Sequence, residues 1–441
     1  MLNLFIDHKA YKSNPKYAEL CRFIDIHANN HEWDALHTTT DIDYFTEVGY
    51  ETGGPVLYGY INWLHEQFKK DGIEKVFFLA RDGQLMQRVY KELYDDLHCE
   101  YMYASRRALI VPTLWMDADL SNMQSMITFP MYLTIKSLLK RTGLDYHLVE
   151  NEILKAGFNC QKLYSSKLLL KNEAFNELYK NLIKPLVVQN SRKQYELLLI
   201  YLKQLKFEGN VAIVDIGWFG RMQLALSRII RDGQVPANIY GYYLGLKPES
   251  QLLSQMSAKG YLFDRNKNIE NAEKEAAFNP VVENFFTANH GTTLGYQDKD
   301  GRVVPILEKW EYTLPQLQDD YKYIQSIQNG ALAFVKDAVH NSKLKDIVKR
   351  EDIAFLNWIQ LGCYPSRECV NRYSRLHFED NGVQSFIAYS DGKNYLFHPK
   401  MFLHDFIISG WRIGFLAKAF GTSVKCYEMY KWIRRLAHKA N

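Results

Sequence analysis

Three charged clusters stand directly behind short apolar runs, and their side chains suit a phosphorylated sugar. Asp215 ends the run Val211 to Val214 and leads into Gly217-Trp218-Phe219-Gly220-Arg221-Met222-Gln223, where two glycines allow close backbone approach and an arginine adds charge. Arg81, Asp82 and Gly83 follow the run Val76 to Leu79, and Ser105, Arg106 and Arg107 follow Tyr101 to Ala104. Guanidiniums grip phosphate through forked hydrogen bonds, while a carboxylate holds sugar hydroxyls or shares a divalent cation. Each cluster taken singly has a plainer reading. Asp215 would suit a helix N-cap, Arg81-Asp82 a surface ion pair, and Arg106-Arg107 a solvated strand end. Together they supply Arg81, Arg106, Arg107 and Arg221 with Asp82 and Asp215, an inventory that fits a polyphosphate, a sugar and a divalent metal. Further along, Glu283 and His290 bracket an aromatic segment and are candidates to deprotonate an acceptor hydroxyl.

Elements able to bring these clusters together are legible from periodicity. Val56, Tyr60, Trp63, Leu64 and Phe68 form a helical stripe, and Asp71-Gly72 turns the chain into a strand at 75–80. A helix over 84–97 leads to an aromatic strand at 101–105, and residues 117–207 read as a helical insertion, with Ile127-Thr128-Phe129-Pro130 as a break. The sheet resumes at 211–215, continues through 238–246 and gains an edge strand at 259–263. Strands alternating with helices predict an α/β fold with a mostly parallel, doubly wound sheet. The passage 290–305 reads as a hairpin turning at Asp300-Gly301. Residues 1–50 read as a short helix and an irregular lead-in, 51–305 as the α/β domain, and 306–441 as a mostly helical C-terminal region.

Composition narrows the class. The chain has 441 residues, and its 54 Lys+Arg against 50 Asp+Glu leave a net charge of +4, too small to argue for nucleic acid. Six cysteines lack zinc-ligand spacing and predict thiols in a reducing cytoplasm. No secretion signal is evident at the amino terminus, and Met401 to Phe420 carries too much charge for a membrane span and reads as an amphipathic or core helix. The basic segment Lys425 to Lys439 fits either a docked terminal helix or one resting on an anionic membrane surface, which would put the protein at the inner face of the membrane.

The phrases GGPVLYGYINWL (53–64), FFLARDG (77–83), YASRRAL (103–109), VDIGWFG (214–220) and ENFFTANHGTTLGY (283–296) resemble a group of bacterial surface-polysaccharide enzymes. Its members often occur fused to, or described as, haloacid-dehalogenase-type hydrolases. The resemblance covers the chain from about Gly53 into the C-terminal helices. It implies a divergent type I phosphoribosyltransferase fold and a glycosyltransferase that builds ribofuranose into O-antigen or capsule from phosphoribosyl pyrophosphate. On that analogy Asp215 holds the ribose hydroxyls, and Gly217 to Gln223, with Trp218, Phe219, Gly220 and Arg221 between them, cradle the 5-phosphate. Arg81-Asp82-Gly83 and Ser105-Arg106-Arg107 take the pyrophosphate. Mg2+ would arrive with the donor and be shared with Asp215 and Asp82. A lipid-linked or growing glycan would be the acceptor, and a separate phosphatase would act on the β-linked product. The family's adjacent acidic pair is here Asp215 followed by Ile216. Asp41-Ile42-Asp43 lacks the apolar strand that a fused phosphatase motif requires, and Phe45 stands where Thr or Val belongs. A phosphosugar hydrolase and a non-catalytic phosphosugar-binding protein are the other readings.

Overall fold

A computed structural model describes residues 4–28, 30–31, 40–120, 131–254, 256–379, 383–390, 395, 397–422 and 424–440. At its centre five parallel strands lie in the order β2-β1-β3-β4-β5. They are β1 (Lys75–Leu79), β2 (His98–Met102), β3 (Gly209–Trp218), β4 (Ala237–Leu246) and β5 (Ala258–Phe263). After β1 the chain adds β2 on one side, then crosses back to lay β3 on the other. The strand order therefore reverses between β1 and β3, where open α/β sheets form a crevice at their carboxyl ends.

Burial on both faces explains why β1 and β3 read as unbroken apolar runs. Val76, Phe78, Ala212, Val214 and Ile216 enter one core, whereas Phe77, Leu79, Val211 and Ile213 enter the other. That alternation turns Asp215 to the same face as Val211 and Ile213. Helix α1 (Gly54–Asp71) packs on the first face and ends at Gly72, whose left-handed φ of 62° redirects the chain into β1. Helices α2 (Gly83–Leu93), α3 (Arg106–Ile110), α4 (Lys184–Gln204) and α5 (Arg221–Asp232) complete the central layers.

Several expectations need correction. The aromatic strand at 101–105 ends at Met102, and Ser105 caps α3 by accepting the Ala108 N–H (3.0 Å). Helix therefore begins immediately after β2 rather than near 117, because a serine cap followed by the helix-forming run Arg106 to Ile110 outweighs the pull of the preceding tyrosines. The proposed break at 127–130 lies outside the described residues. The amino-terminal lead-in is more ordered than its weak periodicity predicts. It contains helices His8–Ser13, Pro15–Ala28 and Asp41–Val48, which share a core with the C-terminal helices. Their apolar stripe is hard to read because Tyr17, Cys21 and Tyr44 stand in for aliphatic residues.

Beyond the sheet, β6 (Thr293–Lys299) and β7 (Arg302–Leu307) form the expected hairpin about Asp300-Gly301. Helix α6 (Asn279–Phe285) precedes it, and helix α7 (Gln318–Ala338) begins the helical C-terminal region. All six cysteines are free and buried. No helix among the described residues is long and apolar enough to cross a membrane.

Candidate active site

Asp215 sits inside β3, paired in register with Tyr243, and α5 starts only at Arg221 with Gly220 at its N-cap. It is not a helix cap. Its side chain is 2% exposed, and its Oδ1 has no hydrogen-bond partner. A buried carboxylate oxygen left unpaired is costly unless something else meets it. Burial raises its pKa to about 7; the N–H groups of Gly217 and Ile216 and the Arg106 guanidinium pull the other way, and Glu283 adds to the rise.

Asp82 reaches the same place from the carboxyl end of β1. It occupies the N-cap position of α2 without spending its side chain on the cap. Burial raises its pKa well above the usual carboxylate range, followed by the negative charges of Asp215 and Glu283, while Arg81 and Arg106 oppose the rise. Asp82, just beyond β1, and Asp215, on the adjacent β3, thus lie at the switch point, and the charges of Asp215 and Glu283 both act on Asp82. Like charges held this close favour a shared proton or a cation.

The cationic groups divide by direction. Arg106 acts on Asp82, Asp215 and Arg221, whereas Arg107 feels Glu308 of the hairpin instead. Successive residues on a helix point about 100° apart, so Arg106 and Arg107 leave α3 in different directions rather than side by side from a strand end. Arg107 is half-buried with its Nε unpaired, and burial lowers its pKa. Burial followed by the Arg106 charge lowers the pKa of Arg221, which lies over the Phe219 ring at 5.3 Å. Arg81 is bound to Glu311 rather than to Asp82. Burial alone would lower its pKa, but Glu311 and Asp82 raise it.

The turn after Asp215 is narrower than its sequence implies. The ladder between β3 and β4 continues through Trp218, whose carbonyl accepts the Lys247 N–H at 2.9 Å. Gly217 has φ of 119°, and a Cβ there would lie 2.2 Å from the Gly245 carbonyl oxygen, so only glycine fits. Helix α5 then starts at Arg221, with Gly220 at its N-cap and no side-chain cap. Trp218 is buried against Phe263 (5.7 Å), with the Lys247 ammonium 5.1 Å from its ring centroid, and its Nε1–H donates to Glu283 (3.1 Å). Phe219, by contrast, is exposed. Gln223 is buried and committed, accepting from the Tyr243 hydroxyl (2.9 Å) and donating to the Ser257 carbonyl (3.0 Å). Ser105 is likewise spent on its cap and on the Thr293 carbonyl (2.6 Å). Gly83 is buried against Phe78.

His290 is fully engaged. Its Nδ1–H donates to the Gly291 carbonyl (2.8 Å), which leaves Nε2 to accept the Tyr101 hydroxyl (2.7 Å). Burial foremost lowers its pKa, with Arg81 adding to the effect and Gly291 opposing it. Glu283 is exposed, and one of its oxygens accepts from Trp218.

Sequence reasoning missed Glu311, Lys247 and Glu275. Lys247 follows β4 directly, a strand-end signal of the same kind as Arg81, and its ammonium pairs with the buried Glu275 carboxylate at 2.9 Å. Glu311 carries no such signal, because the hairpin alone brings it back to β1.

Among the described residues no three His, Cys, Asp or Glu side chains form a metal centre by themselves. Asp215 Oδ1, buried and without a hydrogen-bond partner, nevertheless fits a cation that takes its remaining oxygens from a ligand. No family model and no curated protein matches the chain.

Proposed function

We propose that the chain is a glycosyltransferase that moves 5-phosphoribose from phosphoribosyl pyrophosphate to a hydroxyl of a growing or lipid-linked surface glycan, with the donor bound in a phosphoribosyltransferase-like manner. The observation that carries this reading is the meeting of Asp82 and Asp215 at the switch point, flanked by Arg106, Arg221 and two helix N-termini. Acid at the floor and cations at the rim match a donor with ribose hydroxyls at one end and phosphates at both. Asp82 stands in for the missing neighbour of Asp215, so the acidic pair is assembled from two strands.

In this scheme the 5-phosphate meets the backbone from Phe219 onward and the N-terminus of α5, while Arg106 and Arg221 face the pyrophosphate. Asp215 orients the ribose and stabilises oxocarbenium character as the bond from C1 to the pyrophosphate oxygen breaks. The acceptor oxygen bonds C1 from the opposite face, giving the β-linked product, and its proton passes to Asp82. A carboxyl of raised pKa suits that step; His290, whose lone pair is already taken, does not. Mg2+ held by Asp215 and the donor's own oxygens would neutralise charge on the departing pyrophosphate. A separate phosphatase would then remove the 5-phosphate.

Pyrophosphate release from phosphoribosyl pyrophosphate and Mg2+, measured with and without glycan acceptors, tests the proposal. Release that depends on acceptor is expected. Acceptor-independent release of inorganic phosphate would point to a hydrolase, and binding without turnover to a phosphosugar-binding protein.

A further inference from the structure

The helix Pro399–Ile408 is turned apolar side out. Phe397 just before it is 78% exposed, and Leu403 and Ile407, one turn apart, are 54% and 55% exposed. Its only acid, Asp405, is buried, where it accepts from Ser390 Oγ (2.7 Å) and the Tyr395 hydroxyl (2.9 Å). The exposed face therefore carries Lys400 and no carboxylate. Such a helix reverses the ordinary pattern, in which the apolar stripe faces the core.

Two further helices follow, each packed on the one before. Phe402 touches Phe420 (ring centroids 5.7 Å apart) at the end of helix Arg412–Phe420, and that helix packs on the terminal helix Cys426–Ala440. There Trp432 is 62% exposed, and Arg434 and Arg435 are exposed as well. The terminal helix's one acid among these residues, Glu428, is paired with Lys431 at 2.8 Å. Exposed aromatic and aliphatic side chains set among exposed cations have the chemistry of a helix lying in a lipid interface. A second copy of the chain would fit poorly, since a symmetric contact would set these cations against themselves.

We propose that this C-terminal face rests on an anionic lipid bilayer, with Phe397, Leu403 and Ile407 entering the interface and Lys400, Arg434 and Arg435 meeting the headgroups. The contact is independent of the donor chemistry. Co-sedimentation of the full chain with vesicles tests it, using phosphatidylcholine alone and phosphatidylcholine mixed with phosphatidylglycerol. Binding to the mixed vesicles is expected to exceed binding to phosphatidylcholine by roughly ten-fold or more and to fall as salt is raised. The double substitution Leu403→Glu/Ile407→Glu is expected to remove most of it with the melting temperature unchanged, since both side chains lie outside the core; Leu403→Ser/Ile407→Ser serves if the glutamates perturb folding. Failure to bind mixed vesicles at low salt, or binding undiminished in a folded variant, would overturn the proposal. So would a dimer of the chain that the same substitutions dissociate while vesicle binding persists.

Discussion

Asp215 was legible in the sequence as the acid that ends an apolar run, yet its chemistry depends on a residue far away in the chain. Asp82 looks like half of a local ion pair with Arg81. The fold instead gives Arg81 to Glu311 and leaves Asp82 under the charge of Asp215, a change that spacing along the chain cannot reveal. A folded-state pKa of about 7 for Asp215, well above the ordinary carboxylate value of 3.8, has a definite sign. The group costs nothing when protonated in both states, so its contribution is fully present below about pH 4 and is lost as pH rises toward 7. Asp215→Asn is therefore expected to be more stable than the natural chain at pH 8, by on the order of 3 kcal/mol, and equal to it at pH 4. Denaturant unfolding at the two pH values measures this, and a difference independent of pH would contradict the assignment. Glu311→Ala strips the half-buried Arg81 of its partner and is expected to cost about 3 kcal/mol in the same assay.

At the scale of elements, most strands and the hairpin at Asp300-Gly301 follow from apolar runs punctuated by glycine and charge. What periodicity misjudges is where one element hands over to the next. The run ending at Ser105 looks like strand throughout, but the serine caps a helix and thereby sends Arg106 and Arg107 in different directions. Likewise β3 looks finished at Asp215, yet β4 is long enough to hold it in register through Trp218. That extension makes Gly217 the tightest point of the site. Gly217→Ala must drive a methyl group into the Gly245 carbonyl at an unfavourable φ, and a loss of on the order of 3 kcal/mol is expected, with weaker binding of phosphoribosyl pyrophosphate. Thermal unfolding and calorimetric titration would show both effects. An alanine variant with natural stability would mean that the β3–β4 ladder ends earlier.

Across the whole molecule, the sheet is closed on one face by helices from both ends of the chain. Tyr17, Leu20, Cys21 and Ile24 of the amino-terminal helix lie in the same core as Trp358 and Trp411, and the Tyr17 hydroxyl bonds to Asn357 at 2.5 Å. Deleting residues 1–28 should therefore abolish soluble, cooperative folding, whereas a dispensable lead-in would leave the melting curve intact. This shared core was not legible, because each terminal segment supplies only part of an apolar face and the match appears when they meet. The central claim concerns what the acids and arginines at the switch point do. Its most direct test is intact-mass analysis of glycan acceptors incubated with the protein, phosphoribosyl pyrophosphate and Mg2+, beside an Asp215→Asn control. The account predicts a phosphoribosyl adduct on an acceptor with the natural chain and almost none with the variant. Transfer from a nucleotide sugar with no adduct from phosphoribosyl pyrophosphate, or equal adduct from both proteins, would contradict it.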